Sequence, residues 1–135
     1  MKVLIDTNVI MDVLLARQPH FEFSQRCAKI CGEQLIGYLT ATQTKDIFYF
    51  LEKNKISAKK AKCIIKELSE EFAILDILAA DVQNALASDM PDYEDALIAH
   101  CAARCSMDYI ITRNTKDFSA SPVAAILPKD FLVRN

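Results

Sequence analysis

A chain of 135 residues with 16 Lys and Arg against 18 Asp and Glu carries a formal charge of −2 at neutral pH. That balance excludes a protein that grips nucleic acid by bulk positive charge, although an acidic site loaded with a divalent cation would still meet a phosphate. The length suits one domain with a sizeable core, and no apolar run reaches the roughly 20 residues of a membrane span.

Residues 2–5 read as a short buried strand, and Asp6-Thr7-Asn8 follows before an apolar run of helical spacing over 7–16. A carboxylate at that handover either caps the helix or belongs to a site completed by other strand ends. Asp12 recurs on the same helix at a spacing that points it elsewhere. With Lys2 followed by Asp6 inside the apolar stretch, this N-terminus does not read as a signal peptide, so a cytoplasmic location is expected.

The turn Arg17-Gln18-Pro19 precedes a helix over 20–33, with Phe23, Cys27, Ile30 and Cys31 on one face and Gly32 near its end. Residues 34–40 are rich in strand formers, and 41–53 form a helix carrying Ile47, Phe50 and Leu51. The clearest amphipathic helix is 57–72, where Ala61, Ile64, Ile65, Leu68 and Phe72 recur at intervals of three and four. Its Lys59, Lys60 and Lys62 sit at the wrong end for the helix dipole, as do Glu67, Glu70 and Glu71. With Lys53, Lys55 and Lys66 these lysines make a basic cluster, read as a solvated face or, more sharply, as a contact for phosphates or an acidic partner. A strand over 72–77, helices over 79–88 and 92–105, and strands over 108–112 and 123–127 complete the chain before a short C-terminal segment. Only two glycines and four prolines interrupt it.

Five cysteines without a secretory signal fit reduced thiols. Cys27/Cys31 and Cys101/Cys105, with His100 close by, are spaced to share a helix face. Small core residues explain that spacing better than a zinc site does. Short apolar strands alternating with helices predict an α/β fold, a three-layer α/β/α sandwich around a mostly parallel five-stranded sheet. In such folds reactive groups gather at the carboxyl ends of the strands.

Acidic residues recur at that edge. Asp6 ends the first strand and Asp46 lies one turn into the helix after the second. Glu94 and Asp95 open the helix before the fourth strand, and Asn114 and Asp117 follow that strand. Crowded carboxylates repel one another, a penalty removed by an oxygen-preferring cation such as Mg²⁺ or Mn²⁺. A cation there could activate water and stabilise a phosphate under attack.

The segments "VLIDTNVIMD", "TATQTKDI", "DYEDALIAHCA" and "IITRNTKDF" resemble, in order, the motifs of the PIN-domain family, which includes the VapC-type toxins of toxin–antitoxin pairs. The resemblance runs from residue 2 to about 127. It implies an α/β/α sandwich, a metal-dependent endoribonuclease acting on RNA, an antitoxin partner and a homodimer. It also implies site residues: Asp6 as the first family aspartate with Asn8 as its polar companion, and Asp95 as the third acid. Asp46 stands where the family most often has Glu, and Asn114 where many members have an acid, with Asp117 positioned to supply the missing charge. Glu94 is an additional acid able to replace Asp95 as a ligand. Thr112 and Arg113 match a hydroxyl and a phosphate contact, so with Asn8 they are expected to bind substrate. The departures bear on how many ions are held.

A haloacid-dehalogenase-like phosphatase needs a second Asp where Asn8 stands, and a response-regulator receiver needs an acidic pair after its first strand. The rival that stays open is a PIN fold serving as an RNA- or protein-binding module with little or no catalysis. The apolar, aromatic stretch "IFYFL" at 47–51 is the candidate surface for self-pairing.

Overall fold

The computed structural model describes residues 1–33 and 36–134, so the expected start of the second strand at 34–35 lies outside the described residues. Strands β1 (Lys2–Ile5), β2 (Ile36–Thr40), β3 (Ala73–Leu75), β4 (Tyr109–Ile111) and β5 (Ala125–Ile126) form one sheet in the order β3-β2-β1-β4-β5. Each neighbouring pair is parallel, so β1 is central. The α/β reading holds, and the sheet is parallel at every pairing rather than mostly so.

β1 explains the layering. Val3 and Ile5 point into one core and Leu4 into the other, so the strand is buried on both faces and reads as an unbroken apolar run. The first core is closed by helices α1 (Thr7–Leu14), α2 (Phe21–Glu33), α3 (Ala41–Lys53), α4 (Ala58–Glu71) and α7 (Pro128–Arg134), through residues such as Val9, Cys27, Ile47, Leu68 and Phe131. The second is closed by α5 (Ala79–Leu86) and α6 (Tyr93–Arg104), through Ala85, Leu97 and Ala99.

Several boundaries differ from expectation. α1 ends at Leu14 rather than 16, because Ala16 adopts a left-handed φ of 49° and the Arg17 N–H bonds back to the Asp12 carbonyl at 3.0 Å. The inward row of α2 is Ser24, Cys27 and Cys31, whereas Phe23 is 44% exposed and Ile30 half-buried. Ser24 faces inward because its hydroxyl donates to the buried Asp12 carboxylate at 3.1 Å. β3, β4 and β5 are each shorter than predicted, and Phe72 serves as the C-cap of α4, packed in the core. A 3₁₀ turn at Thr115–Phe118 follows β4, and the C-terminal segment is helical.

Ser57 caps α4 by accepting the Lys60 N–H at 3.2 Å, while Lys59, Lys60, Lys62 and Lys66 stay exposed. The thiols of Cys27, Cys31 and Cys101 are buried and reduced, and burial pushes each up to about 12. Cys27 Sγ donates to the Pro128 carbonyl at 3.3 Å, tying α2 to α7 as a core residue. Among the described residues no helix is long and apolar enough to cross a membrane.

Candidate active site

Asp6 sits at the carboxyl end of the central strand, where its own N–H extends the ladder to the Ile111 carbonyl at 2.9 Å. Extended backbone geometry (φ −67°, ψ 151°) turns the side chain over the start of α1. One carboxylate oxygen accepts the Thr7 N–H at 2.8 Å, and the other accepts the Thr112 hydroxyl at 2.7 Å. Capping and facing a cavity are therefore both done by this one residue, which is 5% exposed.

Two further pieces fix the frame around it. Gln43, fully buried in the first turn of α3, donates from Nε2 to the Ile5 carbonyl at 2.7 Å and to Thr7 Oγ1 at 3.3 Å. Its Oε1 accepts the Thr40 N–H at 2.8 Å, closing a capping box. Asp92 caps α6 by accepting the Asp95 N–H at 3.0 Å, which holds Glu94 and Asp95 in the first turn. The Thr-x-x-Gln spacing of "TATQ" and the Asp-x-x-Asp spacing of "DYED" are the sequence signals of these two caps.

The result is a cavity of about 310 Å³ whose walls include Asp6, Asn8, Asp46, Glu94, Asp95 and Asn114. Asp95 is half-buried there, and its carboxyl is pushed up to about 7, first by burial and then by the charges of Asp6, Asp92, Asp117 and Glu94. Burial also raises Asp6, against the opposing hydrogen bonds from Thr112 and Thr7 and the charge of Arg113. Asn8 contributes a buried side-chain oxygen that has no hydrogen-bond partner among the described residues. Asp46 lines the cavity and pairs with its exposed neighbour Lys45 at 2.9 Å.

Arg17 and Arg113 also line it, held from behind by Asp12. That carboxylate is fully buried, and accepts Arg113 Nε at 2.7 Å, Arg113 Nη2 at 3.2 Å and Arg17 Nε at 3.0 Å, besides Ser24. Arg17 Nη2 additionally donates to the Asn8 carbonyl at 3.0 Å. Asp12 does point away from Asp6, but its role in fixing two guanidinium groups was not visible from spacing on one helix.

Two expected site residues are placed differently. Thr112 is fully buried, its hydroxyl donating to Asp6 and accepting the Asn114 N–H at 3.1 Å, so it positions a carboxylate and has no surface to offer a substrate. Asp117, in the 3₁₀ turn, does not line the cavity, although its charge raises Asp95. Arg113 keeps 25% of its side chain exposed.

Among the described residues no three His, Cys, Asp or Glu side chains are arranged to hold a metal ion unaided. The donor chemistry nevertheless fits one class of ion. Carboxylate and amide side chains line one cavity, neighbouring carboxylates raise Asp95, and among the described residues the buried Asn8 oxygen has no donor. Mg²⁺ asks for hard oxygen ligands, keeps several waters and needs only one or two carboxylates. Asp6 and Asp95 fit that demand, with Asp46, Glu94, Asn8 and Asn114 within the same cavity.

A family model described as "PIN domain" matches residues 2–116. The chain is 26% identical over 138 residues to Ribonuclease VapC1 of Aquifex aeolicus (strain VF5), covering 98% of this chain and 94% of that protein. VapBC2 from Rickettsia felis, solved bound to a DNA fragment from its promoter, superposes with a TM-score of 0.73 at 15% identity, over 94% of this chain and 98% of that one. A toxin–antitoxin complex from Klebsiella pneumoniae superposes with a TM-score of 0.71 at 20% identity, over 93% and 97%. The two structures are similar to this chain in fold.

Proposed function

Because this chain belongs to the PIN-domain family, we propose that it is a VapC-type endoribonuclease that hydrolyses RNA phosphodiester bonds with Mg²⁺ or Mn²⁺ as cofactor. The observation that carries the reading is the single cavity into which Asp6 and Asp95 both open, with Asp95 forced up to about 7. A protein does not hold carboxylates in mutual repulsion for stability; a cation relieves it.

Asp6 and Asp95 would bind the ion directly, with Asp46, Glu94, Asn8 and Asn114 completing its oxygen shell or holding its waters. Asp117 acts at a distance by adding negative charge. When bound, the ion supplies Lewis-acid charge at the phosphate and lowers the pKa of a coordinated water. Thr112 and the Thr7 N–H fix the orientation of Asp6. Arg113 and Arg17, braced by Asp12, present guanidinium groups that neutralise and orient an RNA phosphate as it enters an otherwise acidic cavity.

The Klebsiella pneumoniae relative is a toxin–antitoxin complex, so an antitoxin is the partner we infer for this chain. A homodimer is inferred on the exposure of Tyr49 and Phe50. The test is cleavage of single-stranded RNA with Mn²⁺, set against EDTA and against Asp6→Asn. We expect cleavage that both controls abolish, the variant by on the order of 10²–10³-fold. Cleavage surviving both would overturn the metal mechanism. A rise in melting temperature with Mn²⁺ but no cleavage of any RNA would favour the binding-module reading.

A further inference from the structure

Arg113 lines a second cavity as well, of about 330 Å³, between the start of α2 and the segment joining β5 to α7. Its chemistry is the reverse of the first. Phe23, Leu127 and Pro128 give it apolar walls, Arg113 and Lys129 bring cationic groups, His20 adds a second flat ring, and among the described residues no carboxylate lines it. The volume falls at the small end of the roughly 300–1,000 Å³ typical of small-molecule sites. That is room for a nucleotide.

Phe23 is the telling residue. Helical spacing predicts it in the core, yet it is 44% exposed, because Ser24 takes the inward position to serve Asp12. The same Asp12 holds Arg113 with two hydrogen bonds. One buried carboxylate thus sets both the arginine shared by the two cavities and the aromatic face beside it. An aromatic ring next to a fixed guanidinium suits a base whose phosphate lies alongside, the pairing used by proteins that bind single-stranded nucleic acid.

We propose that this cavity seats the base of the RNA nucleotide adjoining the scissile phosphate, stacked on Phe23, with Arg113 bridging it to the carboxylate cavity. The proposal rests on the ribonuclease reading and adds to it a subsite for substrate context.

The test combines enzyme and substrate changes. A short single-stranded RNA cut by the wild-type chain is scanned with one abasic nucleotide at each position around the cleavage point. We expect one adjoining position at which loss of the base raises KM roughly tenfold, as for one lost base–aromatic stack. Phe23→Ala should raise KM for the intact RNA by the same factor and add nothing on the abasic one, while Phe23→Tyr restores tight binding. Val133→Ser, exposed on α7 and outside the cavity, is the control. Additive effects of Phe23→Ala and the abasic position, or no effect of either in a chain that does cut RNA, would overturn the subsite and leave the nuclease reading standing. Titration with the four nucleoside 5′-monophosphates, followed by NMR of the Phe23 ring, needs no catalysis. Saturable shifts in a chain that cuts nothing would leave a nucleotide site but overturn its place beside a scissile phosphate, and no shift with any of them would overturn the subsite.

Discussion

One carboxylate at the end of β1 serves two structures, and the partners of Asp6 show how the conflict is resolved. Its two oxygens take one donor each, from α1 and from the strand end of β4, which leaves their remaining lone pairs for the cavity. Thr112→Val keeps the buried shape but strips Asp6 of one donor and the Asn114 N–H of its acceptor. The expected result is a 10–100-fold loss of cleavage, about the effect of removing a group that orients a metal ligand. Stability should fall by about 1–3 kcal/mol, and Thr112→Ser should recover most of both; a valine variant cutting at the wild-type rate would show that Asp6 needs no such support. Asp95 predicts a pH dependence. In the folded chain it keeps its proton up to about pH 7, but unfolded it releases it near 3.8. Between those values the folded state binds more protons than the unfolded one, so the contribution of Asp95 to stability is full below about 3.8 and is lost as pH rises to about 7. Asp6, also raised by burial, acts in the same direction. Melting curves in EDTA across that range should show the decline, Asp95→Asn should flatten it, and a divalent cation should oppose it.

At the level of elements, the two glycines behave oppositely, and this separates packing from propensity. A Cβ on Gly37 in β2 would lie 2.8 Å from Cys31 Cβ and 2.8 Å from the Phe72 ring, both core groups held by their own helices. Gly37→Ala should therefore lose about 1–3 kcal/mol, a drop of several degrees in Tm. A Cβ on Gly32 in α2 meets nothing within 4 Å, so Gly32→Ala should gain ~0.4–1 kcal/mol by removing unfolded-state freedom. Thermal unfolding of both variants checks the pair, and a stabilised Gly37→Ala would mean that α2 and α4 can retreat from the sheet. The elements themselves were legible where a local pattern sufficed. Two-sided burial marks β1 as an apolar run, and Asp6, Glu94 and Asp95 sit at the ends that a parallel sheet assigns them. What remained illegible depends on long-range partners. Ser24 displaces Phe23 only because Asp12 lies opposite, and Arg113 turns to Asp12 across about a hundred residues of sequence. Asp117 misses the cavity wall because the residues after β4 coil into a 3₁₀ turn, where spacing from Thr112 is no guide to direction.

Across the whole molecule, a net charge of −2 and an acidic cavity would repel RNA unless cations intervene, so surface left uncommitted by the core has to be sought elsewhere. The stretch at 47–51 divides cleanly. Ile47 and Leu51 are fully buried and Phe48 half-buried, but Tyr49 is 60% and Phe50 39% exposed, their rings edge to face at 5.6 Å. The core absorbs the helical stripe and leaves two adjoining rings in water, the kind of exposed apolar pair that marks an interface. A homodimer through α3 is the expected assembly. Because Phe50 also lines the carboxylate cavity, pairing there would bring a partner's surface to the edge of the site. Sedimentation velocity at micromolar concentration should show a dimer, and Tyr49→Glu, a substitution outside the cavity wall, should shift it to monomer by placing like charges opposite each other across a two-fold axis. A wild-type chain that sediments as a monomer would remove the dimer and leave Tyr49 and Phe50 free for another occupant. In that case the same variant, tested against the antitoxin proposed as its partner, would show whether those rings receive it.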